Sequence, residues 1–295
     1  MEYFNLLRPK QWIKNLFLFI PLFFSGEIFH IPKLLNVSLG FISFSLIASC
    51  VYIINDYRDI ESDKKHPKKC KRPLASGSVS KREAIFVLIL CLIIGFSIAF
   101  FLKPKFLFIL SIYFILNLAY SFGLKNISIL DVIIVATGFV LRVKCGGVLS
   151  HIYTSEWLTL MVFLLALIMA FAKRRDDVLI KAKSGSDIRK ASRGYNLEFL
   201  NVALAILSAI TIVSYLLYSL SMGMIEQWGT HRLYYTCLFV IAGILRYLQI
   251  AFVENESGSP TSILYKDKFI QGSILVWIIS FYFIIYYPEI KIFGE

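Results

Sequence analysis

Apolar runs long enough to cross a bilayer as helices dominate this chain, at about 12–30, 34–55, 84–102, 105–123, 128–149, 155–172, 198–221, 233–252 and 270–288. In hydrocarbon no water is present to satisfy the backbone, so runs of this length predict helices with internal hydrogen bonds. Hydrophobic residues make up 58% of the chain and the mean hydropathy is +0.71, against roughly 45–50% apolar for a soluble domain. The pattern predicts an all-α integral membrane protein of about nine transmembrane helices, forming a single domain over 1–295. Pro21 interrupts the first run. That run follows a short basic head, as a signal peptide would, but no A-x-A-like cleavage site follows it, so it is read as a span.

The formal net charge is +12, and its distribution argues against nucleic acid. With the N-terminus inside, roughly 23 basic residues fall in connections on the cytoplasmic side and roughly 5 on the other. The long polar loops, about 56–83 and 173–197, then face the cytoplasm. This predicts a plasma-membrane (inner-membrane) protein with a cytoplasmic active face, whose lysines and arginines meet anionic head groups or phosphorylated substrates. The five cysteines form no C-x-x-C pair and four lie in apolar runs, which favours packing thiols over disulfides or zinc.

The second run ends in "NDYRDIESD". On a helix, Asp56, Asp59 and Asp63 fall within about 60° of one another, with Asn55 at the edge of the stripe and Glu61 pointing away. Carboxylates so placed repel one another unless a cation shares them, and hard oxygen ligands suit Mg²⁺, which also binds substrate phosphate. The alternative is a solvated face whose acids pair with Lys64, Lys65 and Lys68. The sixth run ends in a second charged cluster, "AKRRDD", which hints at a pseudo-symmetric site between two half-bundles.

Cations follow the first cluster at once. Lys69 and Arg72 suit a diphosphate held beside carboxylates and metal, whereas Lys64, Lys65, Lys68, Lys81 and Arg82 are read as setting orientation. His66 fits a loop or a phosphate contact equally. Asp131, Arg142 and Lys144 stand within the fifth run, where a charge needs a partner or a polar cavity. Asp131 could terminate its helix near Lys125, Lys144 could snorkel to the outer interface, and Arg142 could be a buried structural cation or a phosphate ligand. In "LLRPKQWIKN", Arg8, Gln11, Lys14 and Asn15 surround Trp12 at the interface, more polar groups than anchoring requires. There is no Walker A, no G-x-G-x-x-G and no Ser–His–Asp constellation.

"NDYRDIESD" resembles the N-D-x-x-D-x-x-x-D motif of the UbiA superfamily of intramembrane prenyltransferases. "RPKQWIKN", "NDYRDIESDKKHPKKCKRPLASG", "YSFGLK", "LRVKCGG", "AKRRDD", "ILRY" and "SPTSILYKD" are similar to one branch, the decaprenyl-phosphate phosphoribosyltransferases. The second motif departs from the usual D-x-x-x-D: Lys173, Arg174 and Arg175 precede adjacent Asp176 and Asp177.

The resemblance implies a UbiA-like bundle and an Mg²⁺-dependent transfer of 5-phosphoribosyl from PRPP to a polyprenyl phosphate. It implies Asp56, Asp59 and Asp63 as magnesium ligands supported by Asn55, with Asp177 serving a second metal or the ribose hydroxyls. Lys14, Asn15, Lys69, Arg72, Tyr120, Lys125, Lys173 and Arg174 would bind substrate. The alternatives are a prenyl diphosphate donor with an aromatic or other lipophilic acceptor, and a transporter with a structural charge network. A transporter would carry acids at mid-bilayer, whereas the acids here stand at helix ends.

Overall fold

A computed structural model of the protein describes residues 2–64, 69–184, 194–255, 263 and 266–287. The roles expected of Lys65, His66 and Lys68, and the stretch 185–193 of the second loop, lie outside these residues. Among the described residues every regular element is a helix. In chain order these are Glu2–Leu7 (α1), a 3-10 helix over Pro9–Phe19, Ile20–Phe24 (α2), Ile31–Arg58 (α3), Ile60–Lys64 (α4) and a 3-10 turn at Lys69–Lys71. Pro73–Ser76 (α5), Lys81–Leu102 (α6), Pro104–Phe122 (α7), a 3-10 turn at Leu124–Asn126, Leu130–Ser150 (α8) and Glu156–Ser184 (α9) follow. The remainder is Leu197–Ser219 (α10), Met222–Trp228 (α11), a 3-10 helix over Arg232–Thr236, Cys237–Gln249 (α12), a π-helix over Ile250–Glu254 and Lys268–Tyr286 (α13).

Eight described helical stretches are long and apolar enough to span a membrane. The expected first span, 12–30, differs: it is a 3-10 helix followed by the short α2. Pro9 and Pro21 each stand in the first turn of their piece, where the missing N–H costs nothing, whereas inside one continuous helix Pro21 would break the ladder. A second difference is α9, which runs on past 172 through Ser184. Lysine and arginine are good helix formers, and an Arg174–Asp177 pair at i,i+3 secures that turn.

The chain forms two compact units, one of residues 1–124 with 138–154 and the other of 125–137 with 155–295. In the first, α3 packs on α6 and on the 3-10 helix Pro9–Phe19. Its core joins Leu18, Phe44, Ile47, Phe106, Leu110 and Leu149. A smaller cluster of Leu6, Ile53, Ile60, Leu74, Val79 and Ala84 draws α1, α4 and α5 onto the ends of α3 and α6, so the polar segment after α3 rests on an apolar platform. Lys103 separates α6 from α7, and its ammonium donates to the last carbonyls of α8, Val148 at 2.7 Å and Leu149 at 3.1 Å. In the second unit α10 packs on α9, and α12 on α13.

Within the first unit, a Cβ at Gly146 would lie 1.9 Å from the Leu18 carbonyl oxygen, while one at Gly40 would meet only the end of the Leu149 side chain, at 2.1 Å. Backbone cannot swing aside as a leucine tip can. Gly146→Ala is expected to destabilise by about 1–3 kcal/mol and Gly40→Ala by clearly less, read as unfolding midpoints of the purified protein in detergent; equal midpoints would refute the close packing.

Candidate active site

In the first unit, regular helix ends at Arg58 with Asp59 as its cap. The hydrogen-bond ladder nevertheless carries across, from the Asp59 amide to Asn55 at 3.0 Å and from the Asp63 amide to Asp59 at 2.8 Å. The backbone ladder is therefore continuous through the break. Asp56 and Asp63 are both 2% exposed, Asp59 and Asn55 are half-buried, and Glu61 is exposed and paired with Lys64 at 3.0 Å.

The cation shared by the two buried carboxylates is an arginine. One nitrogen of Arg72, Nη1, donates to Asp63 Oδ2 at 2.6 Å and to Asp56 Oδ1 at 3.1 Å. Arg8 donates to the same Asp56 oxygen and stacks over the Tyr52 ring, 5.2 Å from its centroid. Lys69 stands 4.0 Å from Asp63. Arg8 adopts the left-handed conformation, φ 53° and ψ 56°, which costs an L-residue on the order of 1 kcal/mol. Pro9 disfavours the ordinary helical region for the residue before it, and the Asp56 pair holds the alternative. The Trp12 indole donates to Ser49 at 3.0 Å, and Ser49 donates to the Leu7 carbonyl at 2.8 Å, which fastens both sides of Arg8 to α3.

Asn15, expected at the substrate, is held here by protein partners. It is buried, with its amide nitrogen on Ser45 at 2.9 Å and its oxygen accepting from Arg142 Nε at 2.8 Å. Arg142 donates further to the Gly138 carbonyl and the Tyr113 hydroxyl, and its guanidinium lies about 5 Å from the Phe44, Tyr113 and Phe139 ring centroids. It is a caged cation. Lys144 reaches the Thr154 carbonyl at 3.2 Å. Tyr120 is half-buried near the end of α7.

The second unit holds its own cluster. Arg174, 2% exposed, donates to Asp131 at 2.5 Å and to Asp177 at 2.9 Å. The Tyr195 hydroxyl donates to the other Asp131 oxygen at 2.9 Å and accepts the Ile129 amide. Burial pushes the Tyr195 hydroxyl above the usual phenol range, so it stays a donor. Arg174 was expected on phosphate, but burial gives it to two carboxylates. Of the basic run only Lys173 is exposed; Arg175 binds Asn201, the Ala251 carbonyl and, at 3.1 Å, Asn255 at the end of the π-helix. Lys125 is half-buried in this unit. Sequence reasoning singled out Arg8 and Asp131 without giving them partners, and missed Tyr195. The Arg-Pro dipeptide and an acid inside an apolar run were the available signals for the first two, and Tyr195 had none.

Among the described residues, no three His, Cys, Asp or Glu side chains are gathered for a metal. The donor set still fits a hard cation, because its oxygens come from carboxylates. Arg8 and Arg72 already neutralise Asp56 and Asp63, so the arrangement suits a cation that brings its own anion, with the arginines turning to that anion.

These features define a helical, multi-pass membrane protein with charged centres at the ends of apolar helices. The UbiA prenyltransferase family profile matches residues 16–270. The chain is 34% identical over 283 residues to a decaprenyl-phosphate phosphoribosyltransferase of Mycolicibacterium smegmatis, covering 92% of this chain and 88% of that protein. It is 31% identical over 285 residues to one of Corynebacterium glutamicum, covering 95% of this chain and 85% of that protein. The fold matches a UbiA homologue of Archaeoglobus fulgidus bound to DMAPP and Mg²⁺, with TM-score 0.71 and 23% identity over 97% of this chain and 100% of that one. The chain belongs to the UbiA prenyltransferase family, and it is a transferase.

Asp131→Asn leaves Arg174 its pair with Asp177 but removes a buried, charge-assisted hydrogen bond. It is expected to cost about 1.5–3 kcal/mol, and Lys173→Gln, at an exposed position, close to nothing, in thermal unfolding of the purified protein. An Asp131→Asn protein as stable as wild type would remove Arg174 from this pairing.

Proposed function

We propose that the protein transfers 5-phosphoribosyl from PRPP to a polyprenyl phosphate, releasing diphosphate, at the cytoplasmic face of the plasma membrane. The reading is carried by similarity, over more than nine-tenths of the chain, to proteins named decaprenyl-phosphate phosphoribosyltransferase. The arginine-bridged carboxylates are the chemistry that a metal-bound diphosphate needs, and the excess of basic residues in the connections on that side supports the orientation.

Asp56, Asp59 and Asp63 would hold Mg²⁺, with Asn55 in support. When bound, the metal supplies electrostatic stabilisation of the charge growing on the leaving diphosphate. Arg72, Arg8 and Lys69 turn to the diphosphate oxygens. Tyr120, Lys125 and Lys173 are assigned to substrate phosphate, and Asp177 to a second metal or the ribose hydroxyls. Arg174 positions Asp177. The acceptor phosphate is already an anion, so no general base is required. A prenyl diphosphate donor is the competing reading, because a structural neighbour of the same fold binds DMAPP.

Two experiments test this. Asp59→Asn is expected to lower transfer at least about 100-fold, the scale of a lost transition-state electrostatic contact, with an unchanged unfolding midpoint; an active, folded variant removes Asp59 from the metal. Purified protein with Mg²⁺ is expected to move label from PRPP into a polyprenyl phosphate. Label entering lipid only from a prenyl diphosphate, with an aromatic acid as acceptor, would overturn the donor assignment.

A further inference from the structure

Helix α6 opens on two cations, Lys81 and Arg82, that the transfer reading leaves unused. Lys81 lies over the Tyr57 ring, 5.8 Å from its centroid. Arg82 is exposed, and among the described residues it makes no hydrogen bond, ion pair or ring contact. With Tyr3, Glu83, Phe86 and Val87 it lines a groove of about 500 Å³ between α1 and the start of α6. Glu83 does not answer its charge, because both carboxylate oxygens are engaged elsewhere. Oε1 accepts from the Tyr3 hydroxyl at 2.7 Å, and Oε2 accepts from the Ser80 amide at 2.7 Å. The acid is committed to α1 and to the helix cap. Further along, Phe86, Ile89 and Ile93 follow Arg82 at i+4, i+7 and i+11, on the same face of α6, and all three are exposed. The opposite face, with Ala84, Cys91 and Gly95, is the buried one, and α6 packs on α3. At 1.5 Å per residue Ile93 stands about 16 Å from Arg82, the depth of one leaflet of a hydrocarbon core roughly 30 Å thick.

We infer that this groove and the apolar stripe beyond it seat an anionic diacyl phospholipid, its phosphate on Arg82 and an acyl chain along Phe86, Ile89 and Ile93. Charge complementarity selects the headgroup. A guanidinium fork matches phosphate oxygens, and Arg82 has no competing partner among the described residues. A zwitterionic headgroup brings an ammonium as well, and the carboxylate that lines the groove has both oxygens occupied. An anionic headgroup leaves no such charge unanswered. The stripe selects lipid over a soluble anion, because a free phosphate uses the cation and none of the apolar surface. Tyr3, held to Glu83 at the start of α6, adds an aromatic wall at the level where such rings concentrate in membrane proteins.

The test uses full-length protein carrying p-benzoylphenylalanine in place of Phe86, in nanodiscs of equimolar phosphatidylglycerol and phosphatidylcholine. After irradiation the lipid adducts are counted by mass spectrometry. Phosphatidylglycerol adducts are expected to exceed phosphatidylcholine adducts about fivefold, the scale of one basic side chain acting on an anionic lipid. Arg82→Gln is expected to bring the two to parity and Arg82→Lys to keep most of the excess, both with unchanged unfolding midpoints. Lys81→Gln is expected to leave the excess within about twofold of its starting value. Farnesyl phosphate in the discs, or inorganic phosphate at matched ionic strength, is expected to leave phosphatidylglycerol in excess. Equal adducts before any charge is removed, an excess that survives Arg82→Gln, or displacement by either phosphate overturns the seat. A crosslink to a second copy of the chain in place of lipid overturns it as well. None of these readouts depends on transfer activity, so the seat stands or falls apart from the proposed reaction.

Discussion

The first unit turns on one nitrogen atom. Arg72 Nη1 bonds two carboxylates that are each almost fully out of water, and two such anions cannot both stay ionised side by side without a cation between them. Arg72 can bridge them because Pro73 opens α5 directly behind it, and α5 is pinned by Leu74 to the platform that also holds Ile60 and Ile53. Asp56 and Asp63 lie on either side of that platform's helix break, across which backbone hydrogen bonds run from Asp63 to Asp59 and from Asp59 to Asn55. Apolar packing fixes the reach of the arginine, and the arginine makes the acid pair tolerable.

The second unit answers the same constraint differently. Arg174 is a shared cation of Asp131 and Asp177, and Tyr195 adds a hydrogen bond to Asp131. Arg175, one residue on, faces another way, and among the described residues none of its hydrogen bonds goes to an acid. Its partners are amide oxygens and the Ala251 carbonyl, in the π-helix that follows α12. A π-turn displaces carbonyls from the ordinary ladder, and one of them here meets a guanidinium. Adjacent arginines in "KRRDD" therefore do unlike work because successive helical positions point about 100° apart.

Much of this was legible in the sequence. Apart from the end of α9, apolar run length gave eight helices to within a few residues, since the bilayer constrains length more tightly than it constrains order of residues. The nearness of Asp56 and Asp63 was legible because helical spacing is local. Partners distant in the chain were not: nothing near Asp131 names Arg174, and nothing near Asn15 names Arg142. Asn15 looked like a substrate ligand because polar groups clustered around Trp12. The clustering has two causes, however, since Asn15 cages Arg142 while Arg8 serves Asp56. The end of α9 was misplaced for a related reason. Charged residues usually mark the end of a span, but here they are satisfied by buried partners, so the helix continues through them.

On the proposed reading, the masking of the carboxylates by arginine has a consequence for the order of events. A bare divalent cation approaching Asp56 and Asp63 must compete with two guanidinium groups that are already hydrogen-bonded there. A diphosphate approaching alone finds those guanidiniums engaged by carboxylates. Neither arrival is favoured by itself. A cation and diphosphate arriving together offer each partner a replacement, carboxylate oxygen to metal and guanidinium to phosphate, so no charge is left exposed during the exchange. The ion pairs of the free protein then work as a filter for the metal–diphosphate complex over either component. An arginine bridge is better suited to that filtering than a lysine, because its fork can leave one oxygen and take another without losing every bond at once.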